Sequence, residues 1–171
     1  MEFYATEVTG MGPGAAAERE VWNSFKTAFR DRDGVAYYRY PVVDKSGGRF
    51  DHEPDLLFLE QDIGLMVIEV KSYKIEHIEA INGATWELSG LRQDSSSPYS
   101  QARDQAFFVK SWFDREEDLR NDSGHCKIPV NFTVALPNIT REEWEAAGLH
   151  EIPSTPRIIT ADDLSPQSLR D

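Results

Sequence analysis

Glu53-Pro54-Asp55-Leu56-Leu57-Phe58-Leu59 and, five residues on, Leu65-Met66-Val67-Ile68-Glu69-Val70-Lys71 read as two short strands. The segment between them, Glu60-Gln61-Asp62-Ile63-Gly64, has the length of a hairpin loop, with glycine at its end. Into these apolar runs the chain sets Asp55, Glu69 and Lys71. A charge buried without a partner is strongly unfavourable, so such groups pair or hold a metal. Closing the hairpin places Asp55 across from Glu69 or Val70, and directly opposed residues stand about 4.5–5.5 Å apart. Side chains alternate along a strand, so Glu69 and Lys71 share one face while Ile68 and Val70 share the other. The three charged groups then converge on one spot, provided the register holds; a slip of one residue would part them.

Upstream, Met1 to Gly14 carries Gly10, Gly12, Pro13 and Gly14 and reads as a flexible lead-in. A phosphate-cradling glycine loop would need a preceding strand and a following Lys-Ser/Thr, which are missing. Ala15 to Arg30 reads as a helix whose apolar stripe is Trp22, Phe25 and Phe29. Glu18 lies on that stripe and Glu20 points away from it. Glu18 reads either as an acid favoured by the helix N-terminus or as an inward-facing site residue. Val35 to Val43 reads as a strand and Lys45 to Asp51 as a polar turn.

Downstream, Ile75 to Leu88 contains Asn82-Gly83, a hairpin signal, with Trp86 packing the second arm. Ser89 to Ser97 is a polar loop, and Ser97-Pro98 is a helix start. Tyr99 to Leu119 reads as a helix with Gln101, Gln105, Phe108 and Trp112 on one stripe. Its two amides, on a buried face, need partners: nearby backbone or a polar site. Val130 to Leu136 reads as a central strand and Thr140 to Ala147 as a short helix with a capping box. Arg157 to Ile159 is a last strand and Thr160 caps a final turn through Leu164. This order predicts an α/β fold, a mixed sheet with helices on its faces.

With 171 residues the chain is one domain with a sizeable core. The expected partition is a lead over 1–14, the domain over 15–164 and a polar tail over 165–171, compatible with a linker to a further domain. No apolar run approaches membrane-span length, Met1 to Ala17 lacks the basic start and apolar stretch expected of a secretory signal, and the lone Cys126 fits a reducing, cytoplasmic setting. The net charge of −12 argues against nucleic-acid binding by bulk attraction, since phosphate neutralisation needs Lys and Arg.

A strand-opening Asp followed by Glu-x-Lys on the next strand has a clear chemistry. Two clustered carboxylates repel, which raises a pKa unless a cation intervenes. Mg²⁺ prefers carboxylate oxygens with waters completing its shell. It polarises phosphate and makes hydroxide available, while a lysine orients water or steadies transition-state charge.

The chain resembles a NERD (nuclease-related) domain of the PD-(D/E)xK, restriction-endonuclease-like superfamily. The matching residues are Glu18-Arg19-Glu20-Val21 with Phe25, Glu53-Pro54-Asp55, Gly64 to Ser72, Trp86, and Ser97-Pro98-Tyr99-Ser100-Gln101, within a span from about Ala15 to Leu136. Ala17 stands where that family usually has Gly before the helical Glu. The resemblance implies an αβββαβ core and a nuclease acting on DNA with Mg²⁺, for which Mn²⁺ substitutes. It implies Asp55, Glu69 and the backbone carbonyl of Val70 as metal ligands. Lys71 would position the nucleophilic water, Glu18 would complete the site or mark a second metal position, and Gln101 would contact the site or substrate. It also implies a neighbouring module, helicase-like or other, in a longer chain. Glu53 reads as a solvated neighbour of the site or as a further metal contact. The same fold could instead serve as a catalytically weak nucleic-acid or protein binding module, or as a regulatory domain.

The remaining groups have plainer readings. His52, His77, His125 and His150 fall at turns and strand ends, and Cys126 has no second cysteine for a zinc site. Tyr37, Tyr38, Tyr40 and Trp112 read as core rather than as base-stacking platforms. Lys26, Arg30, Arg32, Lys45, Arg49, Arg92, Arg103 and Lys110 are the cations from which a phosphate track could form.

Overall fold

A computed structural model describes residues 1–6, 12–41, 53–82, 85–89, 97–152 and 157–170. Its elements are β1 (Glu2–Ala5), α1 (Pro13–Phe29), β2 (Gly34–Tyr38), β3 (Leu56–Glu60), β4 (Gly64–Val70), β5 (Ile78–Asn82), β6 (Thr85–Leu88), α2 (Pro98–Phe113), β7 (Val130–Leu136), α3 (Arg141–Ala146) and β8 (Ile158–Thr160). Six strands form one sheet in the order β1-β2-β3-β4-β7-β8, and β5 pairs with β6 apart from it. The sheet is mixed: β2, β3 and β4 are antiparallel neighbours, while β1–β2, β4–β7 and β7–β8 are parallel. The parallel step from β4 to β7 needs a crossover, and α2 supplies it across that part of the sheet. The run α1-β2-β3-β4-α2-β7 is the αβββαβ core of a restriction-endonuclease-like fold.

Helix α1 lays Val21, Trp22, Phe25 and Phe29 on Leu56, Phe58, Ile68 and Val70. On the opposite face Leu65 and Val109 are buried, with Leu57, Leu59, Phe108 and Trp112 packed against them. A third cluster joins Trp86 and Tyr73 to Val134, Leu136 and Trp144. The β3–β4 turn depends on Gly64: its φ is +82°, and a Cβ there would come within 2.4 Å of the Pro129 carbonyl oxygen.

Several expectations are corrected. Residues 2–5 are not lead-in but an edge strand, because β1 pairs with β2 from Glu2↔Val35 to Ala5↔Tyr38. The strand expected over Val35 to Val43 stops at Tyr38, where Arg39 takes a left-handed φ of 50° that leaves the ladder. Strand β7 is an interior strand as expected, paired on both sides between β4 and β8. Helix α2 ends at Phe113 rather than Leu119, and its buried stripe is Pro98, Ala102, Ala106 and Val109. Small alanines bring the helix close to the sheet, and the larger Phe108 and Trp112, expected as core, pack only partly buried at its flank. The polar end is docked: Leu169 packs on the α1 cluster and Arg170 Nε donates to the Ala28 carbonyl at 2.6 Å. The turn over Lys45 to Asp51, His52, Gly83 and most of the Ser89–Ser97 loop lie outside the described residues.

Candidate active site

The β3–β4 register pairs Leu56 with Ile68, and one step further along it sets Asp55 opposite Glu69. The Asp55 carboxylate accepts the Val70 N–H at 2.7 Å, tying it to the end of β4. Lys71 Nζ donates to Glu69 Oε1 at 2.6 Å. Glu69 is nearly closed off, with 7% of its side chain exposed against 23% for Lys71, so the amine forms the wet side of the pair. From α2, Gln105 Nε2 donates to the other Glu69 oxygen at 3.4 Å. Asp55, Glu69 and Lys71 thus meet at the mouth of the hairpin.

Electrostatics at this spot are unbalanced. Burial, and then the Glu69 charge beside it, push the Asp55 carboxyl up to about 8, against the pull of the Val70 N–H; Glu18 adds to the push and Lys71 opposes it. Burial alone would lower the Lys71 amine, but Glu69 and Asp55 hold it above its ordinary value, so it stays charged. A buried acid with a purely structural role looks different. Glu60, at the other end of β3, accepts the Asp62 and Ile63 N–H groups at 2.7 and 2.9 Å and the Arg32 guanidinium at 2.9 Å. Although burial raises it, those partners hold Glu60 below the usual carboxylate range. Glu60 has its charge matched; Asp55 and Glu69 share one lysine.

Glu18 faces inward from α1 with 15% of its side chain exposed, and Glu20 is solvated. Its carboxylate accepts the Tyr38 hydroxyl at 3.3 Å and lies 3.7 Å from Arg39 Nε. Arg39 Nε also donates to Glu53 at 3.0 Å. Gln101 and Gln105 each carry a buried side-chain oxygen without a hydrogen-bond partner. Both amides therefore line the polar end of α2, and of the two it is Gln105 that reaches Glu69. Among the described residues, no three His, Cys, Asp or Glu side chains form a ready-made cation cage. Glu18 is not gathered with Asp55 and Glu69 into a three-acid set.

The family model of the nuclease-related domain, NERD, matches residues 13–137. The chain belongs to the NERD family. No curated protein and no solved structure matches it. Within this NERD domain no described helix is long and apolar enough to cross a membrane.

Sequence reasoning missed Arg39, because the β2–β3 register that brings it beside Asp55 spans a long intervening segment. The only local signal was a lone cation in Tyr37-Tyr38-Arg39-Tyr40-Pro41. Tyr40, expected in the core, is corrected by the structure. Tyr38 is buried, but Tyr40 is 50% exposed and Tyr4 47%. Tyr4 stacks on Tyr37 at 5.3 Å between centroids, and Tyr37 meets Tyr40 at 4.9 Å, a row of rings reaching solvent. The cation track is not free either: Arg30, Arg32, Arg103 and Lys110 each pair with an acid. Lys45, Arg49 and Arg92 lie outside the described residues.

Proposed function

We propose that this NERD domain is a Mg²⁺-dependent nuclease that hydrolyses phosphodiester bonds in DNA. The observation that carries the reading is the opposed pair Asp55 and Glu69, largely buried, mutually repelling and in direct side-chain contact with a single protein cation, Lys71. Such a pair lacks positive charge, and a divalent ion supplies it. The donor set fits Mg²⁺, which is commonly held by one or two carboxylates with water and substrate oxygens completing an octahedron. Asp55, Glu69 and the Val70 carbonyl would hold the ion, and Mn²⁺ would substitute. When bound, the ion polarises the phosphate and lowers the pKa of water.

The chain's own groups do the rest. Lys71 remains protonated, so it serves as a donor that orients the attacking water and steadies charge on the phosphoryl oxygens, not as a base. Gln105 fixes the second Glu69 oxygen. The unpartnered Gln101 oxygen can accept a hydrogen bond from a water or a substrate group. The tyrosine row offers base stacking, which does not depend on protein charge and suits a chain at −12.

The test is incubation of the protein with linear, nicked and branched DNA, with and without EDTA. Cleavage should need Mg²⁺ or Mn²⁺, stop with EDTA and be lost in Asp55→Asn and Lys71→Ala variants that keep their fold. A second reading, a binding module with feeble catalysis, is favoured by the exposed rings. It predicts strand binding that survives both substitutions and shows no cation requirement. A protein that takes up no cation in calorimetric titration and cuts none of these DNAs would sink the nuclease reading.

A further inference from the structure

Glu18 faces the site from α1, and its carboxylate is already engaged. Tyr38 donates to it, and the Arg39 guanidinium bridges between it at 3.7 Å and Glu53 at 3.0 Å. We propose that Arg39 is a positioning residue that serves as the fixed second positive charge of this site, so that one divalent cation, on Asp55 and Glu69, completes it. The inference rests on the metal-dependent reading above and deepens it.

Three observations converge on Arg39. Its backbone is left-handed, at a φ of 50°, a region that residues other than glycine rarely adopt. That conformation is pinned on both sides. The Arg39 N–H donates to the Asp55 carbonyl at 2.9 Å, and the Arg39 carbonyl accepts the Thr6 hydroxyl at 2.8 Å. Strained residues persist where surrounding structure over-determines them, and they gather at functional sites. The consequence is geometric: one residue sets both the strand end from which Asp55 hangs and the side chain of Glu18. A guanidinium fork is also the donor best matched to carboxylates. Finally, Arg39 Nε stands between two carboxylates, 3.7 Å from Glu18 and 3.0 Å from Glu53, where a cation would otherwise sit. A cation could settle on Glu18 and Glu53 only by displacing Arg39.

Calorimetric titration with Mn²⁺ on the whole chain tests this. The unmodified protein should take up one ion. Arg39→Gln, and separately Arg39→Gly, which relaxes the left-handed backbone, should each take up a second. Adding Glu18→Gln to Arg39→Gln should remove it again. A metal-free readout accompanies the titration: in EDTA, Arg39→Gln should melt at lower temperature, with Glu18→Gln restoring part of the loss. Two ions in the unmodified protein, one ion in both Arg39 variants, or an unchanged melting temperature would overturn the inference while leaving the nuclease reading intact. Absence of uptake by the unmodified protein would overturn both, and is told apart by that outcome alone.

Discussion

Two acids of the β3 segment show how residue-scale bookkeeping separates structure from function. Glu60 is buried with its oxygens matched, so Glu60→Ala should strand two turn N–H groups and leave Arg32 with Asp62 as its remaining acid. The expected loss is about 1–3 kcal/mol of stability in denaturant unfolding, with any nuclease activity unaltered in its metal dependence. Asp55 is the reverse case, a carboxyl that burial and the neighbouring Glu69 keep protonated at neutral pH. Its folded pKa lies near 8 while an unfolded aspartate titrates near about 3.9. The native protein therefore holds a proton that the unfolded chain has lost. This group's contribution to stability is complete below about pH 4 and disappears as pH rises through about 8. Metal-free protein should accordingly lose stability across that window. Asp55→Asn, neutral at every pH, should flatten the slope there. Glu60 and Asp163 titrate the other way: despite burial, Thr160 and Arg141 hold Asp163 low, so their contribution fades only in acid below about pH 4. The two effects occupy separate pH ranges, and a melting-temperature series read on both variants distinguishes them.

At the scale of elements, the hairpin is the device that makes the site. Two opposed acids meet only if β3 and β4 pair in one register, and that register is set by the turn. Gly64→Ala puts a methyl against the Pro129 carbonyl oxygen and forces a left-handed φ on alanine. It should cost about 1–3 kcal/mol and, by shifting the turn, weaken Mn²⁺ uptake more than an equally destabilising core change such as Val21→Ala. Much of this element was legible in the sequence, because alternation, the five-residue loop and its glycine all pointed to one pairing. The β7 limits and the Thr140–Glu143 capping box were legible for the same local reason. What was not legible depended on partners far along the chain. The edge strand β1 is four residues long and forms only because β2 offers a ladder. The α2 stripe reads one residue out of phase from the sequence, since bulky side chains mark a helix's flank when alanines take the close approach. The same element-scale view assigns the tyrosine row a role. Tyr40→Ala, with Tyr4→Ala on the neighbouring strand, should weaken single-stranded DNA binding by about 1–3 kcal/mol for each base–ring stack removed. Cleavage should change through KM rather than kcat, since stacking holds the strand and leaves the reacting groups as they are.

Taken as a whole molecule, a chain at −12 gathers Asp55, Glu69, Glu18 and Glu53 at one end of its sheet against only Lys71 and Arg39, a local charge imbalance. Sequence alone located the imbalance but not its local remedy, because Arg39 enters the site through tertiary pairing. The imbalance has a global consequence. A ligand that binds only the folded state stabilises it by mass action, by about 2.7 kcal/mol at a hundred times its dissociation constant. In a domain of this size each kcal/mol moves the melting temperature by about 2–4 °C. Saturating Mg²⁺ should therefore raise the melting temperature by roughly 5–10 °C. Screening of diffuse surface repulsion would give a rise too, but the same one in NaCl at matched ionic strength. The site-specific part is what remains after that control, and it should vanish in Asp55→Asn and in Glu69→Gln while persisting in Glu60→Ala. If instead all three variants kept the full shift, the stabilising ion would belong to the acidic surface at large, and the hairpin acids would have no claim on it.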